Sequence, residues 1–492
     1  MSEDAPWPAR DTPMDLRALP CCFAMACVVQ SGPEPVGDPS GADESSSDDG
    51  SSTVASSDTA TSTSDGGSAD SSSSDDDGIV EDCPIPTAGP TMHPGDNVEE
   101  AQVWTADGSP HLLPYDFTIH APVLVEACAR VQLGKNVMLT IGAGGSLVAD
   151  GTEQQPVVIE RLDEAPWSTI RTLGGEVQLF YTRIEGGGAV GNSLPDLTGA
   201  LLLRAPLGIT TPTDVARLHY VQILGSEAAG LRIDGAASIW ADSADLVISG
   251  GASHPISASA TMVSAIPEGT YTGNADDRIV LTTANTETIY TDATIFDRGV
   301  PYLVGQPGQV GELRVQGNQA GLAVLTIQAG VELQFQQDGV LTVEHATGDA
   351  PATGALVALG TADDPIVFTS ASEHPAAGDW LGVYFGGSPD PLDALDHVRI
   401  EYAGGASSSG SNSCMYPGEP INDAAIRIFG QPAGAFVTNS EIIASAAHGI
   451  DRGWRSDTVV DLAPGNAFDV AGCTQTTARR ADGACPDVVP CP

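Results

Sequence analysis

Gly151-Thr152-Glu153-Gln154-Gln155-Pro156-Val157-Val158-Ile159 returns in outline as Gly360-Thr361-Ala362-Asp363-Asp364-Pro365-Ile366-Val367-Phe368, a shift of 209 positions. Downstream, Arg183-Ile184-Glu185 followed by glycines returns as Arg399-Ile400-Glu401 followed by Tyr402-Ala403-Gly404-Gly405, a shift of 216. Ile223, Ser226 and Gly230 then return as Ile442, Ser445 and Gly449, a shift of 219. Three matches in one order, with a slowly growing shift, mark a duplication with small loop insertions. Duplicated, strand-dense sequence predicts a repeat architecture, which supplies surface more readily than a unique reaction.

From about Ala121 onward, runs of four to six residues rich in Val, Ile, Leu and Thr alternate with Gly, Asp, Asn or Pro. Val137-Met138-Leu139-Thr140-Ile141, Val177-Gln178-Leu179-Phe180-Tyr181 and Val340-Leu341-Thr342-Val343 are examples. They read as short strands with turn punctuation, and the one helical suggestion is a cap around Asn97 to Trp104. A sandwich would place two-residue hairpin turns at regular intervals. Here turn lengths are irregular, and Asp150-Gly151 and Asp338-Gly339 both fall in the duplicated block. A parallel coil that climbs one strand per turn is therefore expected, because a block can be copied into it without disturbing the core.

Leu325-Thr326-Ile327-Gln328-Ala329-Gly330, the run Gly360 to Ser370, Asp379-Trp380-Leu381-Gly382-Val383 and Arg399-Ile400-Glu401-Tyr402-Ala403-Gly404 together resemble bacterial surface proteins with right-handed parallel β-helix repeats, within the pectin-lyase-like superfamily. Tyr271-Thr272-Gly273-Asn274-Ala275-Asp276-Asp277 followed by Gly299-Val300-Pro301-Tyr302 resembles the connector between successive blocks of such proteins. The resemblance spans roughly Ala121 to Asp451. It implies an all-β, right-handed parallel β-helix and carries little information about activity, since the superfamily holds lyases, hydrolases, adhesins and inert scaffolds. Strand alternation then points Ile184 and Ile400 inward, and Arg183, Glu185, Arg399 and Glu401 outward on one sheet.

The chain carries 19 basic and 65 acidic residues, a formal charge of −46, with Lys135 its only lysine. Such a surface repels phosphate backbones, so nucleic acid is excluded as a partner. Residues 1–27 read as an export leader: Leu19 to Val29 is a short apolar run behind Arg17, and Ala24-Met25-Ala26-Cys27 resembles a bacterial lipoprotein signal with Cys27 as the lipidated residue. An ordinary secretory leader or a chance apolar patch is the alternative, and a start at Met14 would give a cleaner leader. Ser31 to Asp82 holds 14 acidic residues and no Lys or Arg. Residues 28–82 are accordingly expected to form a disordered acidic tether, with membrane association through the lipid anchor alone. The remaining boundaries place a cap at 83–120, the coil at 121–472 with copies at about 121–250 and 300–470, and a Cys-rich tail at 473–492. Without the leader and Cys27, Cys83, Cys128, Cys414, Cys473, Cys485 and Cys491 remain, an even set that suggests disulfides in an exported chain: Cys83 with Cys128, and others among the last four.

Chemistry is sparse. Gly186-Gly187-Gly188-Ala189-Val190-Gly191 satisfies G-x-G-x-x-G, but polar loop residues follow where a dinucleotide site needs a helix. The lyase side of the resemblance implies calcium held by carboxylates with an Arg as base, for which Arg183, Glu185, Arg399 and Glu401 are surface candidates and Asp390, Asp393 and Asp396 possible calcium ligands. The spacing of those three aspartates matches neither an EF-hand loop nor the glycine-rich RTX nonapeptide, and solvated loop acids and exposed ion pairs are the plainer reading. Of the hydrolase motifs the resemblance implies, only Asp363-Asp364, Ala447-His448-Gly449 and Arg399-Ile400-Glu401 remain, the last with Glu where Lys is expected. There is no G-x-S-x-G elbow and no H-E-x-x-H pair. Trp240, Trp380 and Trp454 would stack on sugars if exposed, although Trp380 reads as a corner packing group. No cofactor other than calcium and no catalytic residue is assigned. The expected function is that of an exported, cell-surface, monomeric scaffold binding glycans or envelope components; a diverged polysaccharide lyase or hydrolase, or a structural spacer, are the alternatives.

Overall fold

The computed structural model describes residues 83–492 apart from positions 96, 190–197, 283–284, 307, 318–320, 344–352, 408–412, 417–421, 488, 490 and 492. The leader with Cys27 and the acidic segment 28–82 lie outside the described residues. The described chain is all-β, and its strand ladders are parallel. Parallel neighbours need a crossover between them, so a hairpin-built sandwich is excluded. Strands stack in sequence order, an arrangement compatible with a solenoid.

Burial follows the alternation expected of strands with one inward face. Val131, Ile159, Ile184, Ile223 and Ile248 are register partners in succession, and all are buried. In the second copy, Leu333, Phe368, Ile400 and Ile442 form the matching column. Each such side chain contributes about 1.5–3 kcal/mol.

The two copies are not stacked face on face. In the first, Val157–Arg161 belongs to a 12-stranded sheet and Met138–Gly142, Thr169–Leu173 and Gly199–Arg204 to a 13-stranded one. In the second, Ile366–Ser370, the repeat of Val157–Arg161, belongs to the 13-stranded sheet, and Gly382–Phe385 and Ala424–Ile428 occupy a separate six-stranded sheet. The 13-stranded sheet thus runs through both copies while changing its role, as Ile256–Ser259, Ile279–Thr282 and Tyr302–Val304 carry it across the junction. A 3₁₀ turn, Ala260–Ala265, sits where a third strand would close the first copy. It packs against Ala237–Ile239 on one side and the opening strands Asn285–Ile289 and Ala293–Ile295 on the other, with Thr294 N donating to Ser264 Oγ at 2.7 Å. The consequence corrects the sequence reading: Arg183 and Glu185 lie on the 12-stranded sheet, whereas Arg399 and Glu401 lie on the 13-stranded one.

The segment Tyr271–Asp277 ends at this junction. Arg278 Nε donates to Asp276 Oδ1 at 2.8 Å, and its guanidinium reaches Gln334 Oε1 at 3.2 Å, tying the junction to the second copy. Burial opposes ionisation of Asp276, but hydrogen bonds from His254 and Arg278 hold its carboxyl far below the usual range.

At the N-terminal end the cap is built from strands. Gln102–Trp104 pairs in parallel with the strand Pro122–Glu126, and Val98 bridges Ile119, so the helix expected around Asn97 to Trp104 does not form. Buried Trp104, His111 and Phe117 gather around His93, and the disulfide Cys83–Cys128 ties the segment down. At the other end Cys414–Cys485 and Cys473–Cys491 fasten the tail. No helix among the described residues is long and apolar enough to cross a membrane.

Candidate functional site

The strand Glu176–Glu185 bends at Tyr181, where φ is +44°, and the four residues beyond the bend alternate Thr182 and Ile184 inward, Arg183 and Glu185 outward. Arg183 Nε lies 2.6 Å from Glu185 Oε1. On the preceding rung Glu160 is held by Arg130 at 2.6 Å and Gln132 at 2.8 Å. Arg161 Nε donates to the Gly186 carbonyl at 2.9 Å, and its Nη2 lies 3.5 Å from Glu227. Glu160, Arg161, Glu185, Gly186, Leu224 and Gly225 line an open cleft of about 400 Å³. Gly186 has φ +71°, and a Cβ there would lie 1.9 Å from Arg161 Nε, so a side chain at this position would displace the arginine that lines the cleft.

The second copy lacks this cleft's ingredients. At the shifts of 216 and 219 found in the sequence, Gly186 and Gly225 correspond to Tyr402 and Ala444, both left-handed at φ +59° and +51°. Glu160, Arg161 and Glu227 correspond to Thr369, Ser370 and Ala446. Arg399 is spanned by Glu441 at 2.8 Å and Glu401 at 3.7 Å, and Thr369 Oγ1 donates to Glu401 at 3.1 Å.

The opposite edge of the same face, one short strand away, carries aromatic rings. Tyr181 and Tyr220 stack with centroids 4.5 Å apart and planes within 10°, and beside them Phe180 and His219 stack at 5.6 Å and 6°. His219 Nε2 lies 3.8 Å from Asp242, which Arg217 also grips. The second copy fills this corner with a polar network. Asp396 Oδ1 accepts from Thr438 Oγ1 and Asn439 Nδ2, both at 2.7 Å, and its Oδ2 lies 3.2 Å from His397 Nδ1. The sequence reading did not single these rings out. The available signal was the recurrence of Phe180-Tyr181 as His219-Tyr220, at the same 39-residue spacing that relates Ile184 to Ile223.

The aspartates considered for calcium are occupied locally. Asp393 Oδ1 accepts from Leu356 N at 2.6 Å and Oδ2 from Asp390 N at 2.8 Å, while Asp390 Oδ1 accepts from Leu392 N at 2.9 Å. Burial pushes the Asp393 carboxyl up to about 7 against the pull of those amides. Among the described residues, no group of three or more His, Cys, Asp or Glu side chains is placed to hold a metal ion. Trp380 and Trp454 are buried and Trp240 half-buried, so Trp380 packs at its corner and presents no ring face to solvent. In the glycine run, Gly188 N and Ala189 N donate to Ser168 O and Trp167 O, so those amides face no phosphate; 190–197 lie outside the described residues.

One cluster appears only in three dimensions. Arg427, fully buried on the six-stranded sheet, lies against the rings of both Tyr384 and Phe429, with Asp423 at 3.6 Å and Asp451 at 3.9 Å. Asp451 Oδ1 accepts from Ser413 at 2.6 Å and Thr476 at 2.9 Å, so the loop bearing Cys414 and the C-terminal tail both close over it. In sequence, Ala424-Ala425-Ile426-Arg427-Ile428 reads as a strand with an outward arginine.

The site therefore offers paired charges, an open cleft and stacked rings on one face of the first copy. No family model, no curated protein and no solved structure matches the chain.

Proposed function

We propose that the chain is an exported, non-catalytic, right-handed parallel β-helix that presents the outer face of its first copy to glycans or other envelope components. Parallel strands joined by crossovers are right-handed in nearly all sheets, which supports the hand. Three disulfides suit an oxidising, extracellular setting. The leader and Cys27 fit anchoring by lipid, with the acidic segment 28–82 as a spacer and the body acting as a monomer.

The observation that carries the non-catalytic reading is the pairing of outward charges within and between rungs. Arg183 rests on Glu185 and Arg399 on Glu441 and Glu401, so the two copies' candidate groups converge on no common point. A lyase needs a base and a cation facing one substrate ring. The test is incubation of the full chain with uronans and neutral glycans, with and without calcium, followed by assays for unsaturated ends, new reducing ends and glycan retention. Retention without product is expected. Product that disappears on changing Arg183 or Arg399 would overturn the reading in favour of a diverged lyase.

A further inference from the structure

We propose that the open face of Tyr220 is a stacking site for an uncharged sugar ring, the first ring of a chain that runs along the Arg183–Gln222 rungs toward the Gly186–Gly225 cleft. This rests on the glycan-binding reading and adds to it a place, a chemical class and a direction.

Three observations converge. First, the aromatic column is open at one end. Tyr181 covers one face of Tyr220 at 4.5 Å, but the next left-handed corner position carries Asp245, whose short side chain cannot cover a phenol ring. Tyr220 is accordingly 48% exposed despite stacking on its other side. A sugar's axial C–H face against an aromatic ring is the stacking such a surface favours, and parallel stacked rings do not form the crossed cage that encloses a cation.

Second, hydrogen-bonding groups ring the platform. Asp245 lies beside the Tyr220 hydroxyl and pushes its proton affinity up, and Asp242 sits between Arg217 and His219. The Asp245 carboxylate beside the ring accepts from sugar hydroxyls and repels a uronate, which on a chain of charge −46 selects uncharged glycan. Third, the copies have diverged at both ends of this face. Tyr181 and Tyr220 are replaced by His397 and Asn439, and Gly186 and Gly225 by Tyr402 and Ala444. A corner needed only for the fold is closed adequately by the polar network of the second copy. Tyr220 instead keeps φ at +53°, a conformation unfavourable for a tyrosine and natural for an asparagine. Tyr181 and Gly186 are five residues apart, so the face spans about 16 Å, room for a short run of sugar rings.

Tyr220→Asn tests the idea, because it removes the ring while installing the residue that serves the same corner in the second copy. Binding of glucose hexasaccharides with β-1,4 and β-1,3 linkage, and of a galacturonate hexasaccharide, is measured on the full chain by calorimetry. Tyr220→Phe and Tyr290→Ala, at an exposed tyrosine elsewhere, serve as comparisons, and thermal melts of each variant report the fold. At least one glucan is expected to bind in preference to the uronan, to lose affinity by about tenfold or more in Tyr220→Asn, the scale of one stacked ring, and to be unaffected by Tyr290→Ala. If the wild-type protein binds a glucan and Tyr220→Asn binds it equally, the stacking site is wrong while the glycan-binding reading stands. Preference for the galacturonate overturns the assignment of an uncharged sugar. If the wild-type chain binds none of the three, the stacking site for an uncharged sugar is overturned, while the broader reading is decided separately by the glycan-retention assay.

Discussion

The indole Nε1 of Trp167 donates to the carbonyl oxygen of Glu185 at 3.0 Å, and the second copy repeats the bond between Trp380 and Glu401 at 2.8 Å. Both indoles are fully buried, and the peptide that follows each acidic residue folds back so that Ala189 N bonds Trp167 O and Gly405 N bonds Trp380 O. The tryptophan thus fastens the outward Arg-Ile-Glu strand to the corner behind it. Trp167→Phe and Trp380→Phe should each cost about 1–3 kcal/mol, because a buried carbonyl loses its donor. Gly187→Ala should cost more than the phenylalanine change at Trp167, since its Cβ would lie 2.4 Å from that ring. Urea unfolding of the three variants checks the order; a neutral Trp167→Phe would show that the bond does not hold the corner.

These tryptophans also show how far the sequence could be read. The Arg-Ile-Glu repeat was visible, as was the inward course of Ile184 and Ile400, because a period of two and a shared spacing are properties of the chain itself. The pairing of Trp167 with Trp380, 213 positions apart, was available by the same arithmetic, as was the doubling of Phe180-Tyr181 in His219-Tyr220. Other features were beyond it. The change of face between copies depends on a 3₁₀ turn taking a strand's place at Ala260–Ala265, a substitution that local composition does not signal. Arg427 reads as outward by alternation and is buried only because the loop of Cys414 and the tail of Thr476 close over it, contacts made across 38 and 25 residues from Asp451.

The N-terminal cap should weaken on mild acidification. His111 Nε2 lies 3.0 Å from the Thr105 carbonyl and must donate, leaving Nδ1 to accept from His93 Nε2 at 3.1 Å. His111 is therefore neutral, and burial keeps His93 neutral as well. Burial, then the neighbouring His111, pushes His93 down to about 4, and burial lowers His111 as well. An unfolded histidine takes up its proton near 6.5, whereas folded His93 resists until about 4, so its contribution is complete above 6.5 and lost as pH falls through that window. Between pH 6.5 and 4 the melting temperature of the wild-type chain should fall relative to that of His93→Phe, a comparison that cancels the opposite contribution of Asp393, whose carboxyl at about 7 adds stability as pH falls. Parallel curves for the two proteins would refute the assignment.

Loop length ranks the disulfides. Cys414–Cys485 closes 71 residues, Cys83–Cys128 closes 45 and Cys473–Cys491 closes 18. Chain entropy alone gives about 4 kcal/mol for each of the longer two and about 3 for the shortest. Cys414 also anchors the loop that covers Arg427, through Cys414 N to Thr477 O at 2.8 Å and Asn422 Nδ2 to Cys414 O at 3.0 Å. Replacing Cys414 and Cys485 by serine should therefore be the most destabilising of the three pairs and should raise hydrogen exchange along Ala424–Ile428. If the Cys473/Cys491 pair proves costlier, loop closure is not what these bonds chiefly supply.

Charge pairs on the two sides of the second copy should behave oppositely. Arg399 and Glu441 are both well exposed, with side chains 44% and 46% accessible, so water screens them and holding two long side chains together costs entropy. Arg399→Ala and Glu441→Ala should each change stability by less than about 1 kcal/mol. Arg427 sits out of water against Tyr384 and Phe429 and faces Asp423 and Asp451. Arg427→Met keeps most of the volume but leaves two acidic groups without their cation, for a loss of about 3–5 kcal/mol. Adding Asp451→Asn to Arg427→Met should recover part of that loss, because the asparagine oxygen still accepts from Ser413 and Thr476 while the stranded charge is gone. Denaturant midpoints for the single and double variants measure the recovery. A double variant less stable than Arg427→Met alone would mean that Asp451 serves the fold through its hydrogen bonds as a charged acceptor, independently of the arginine.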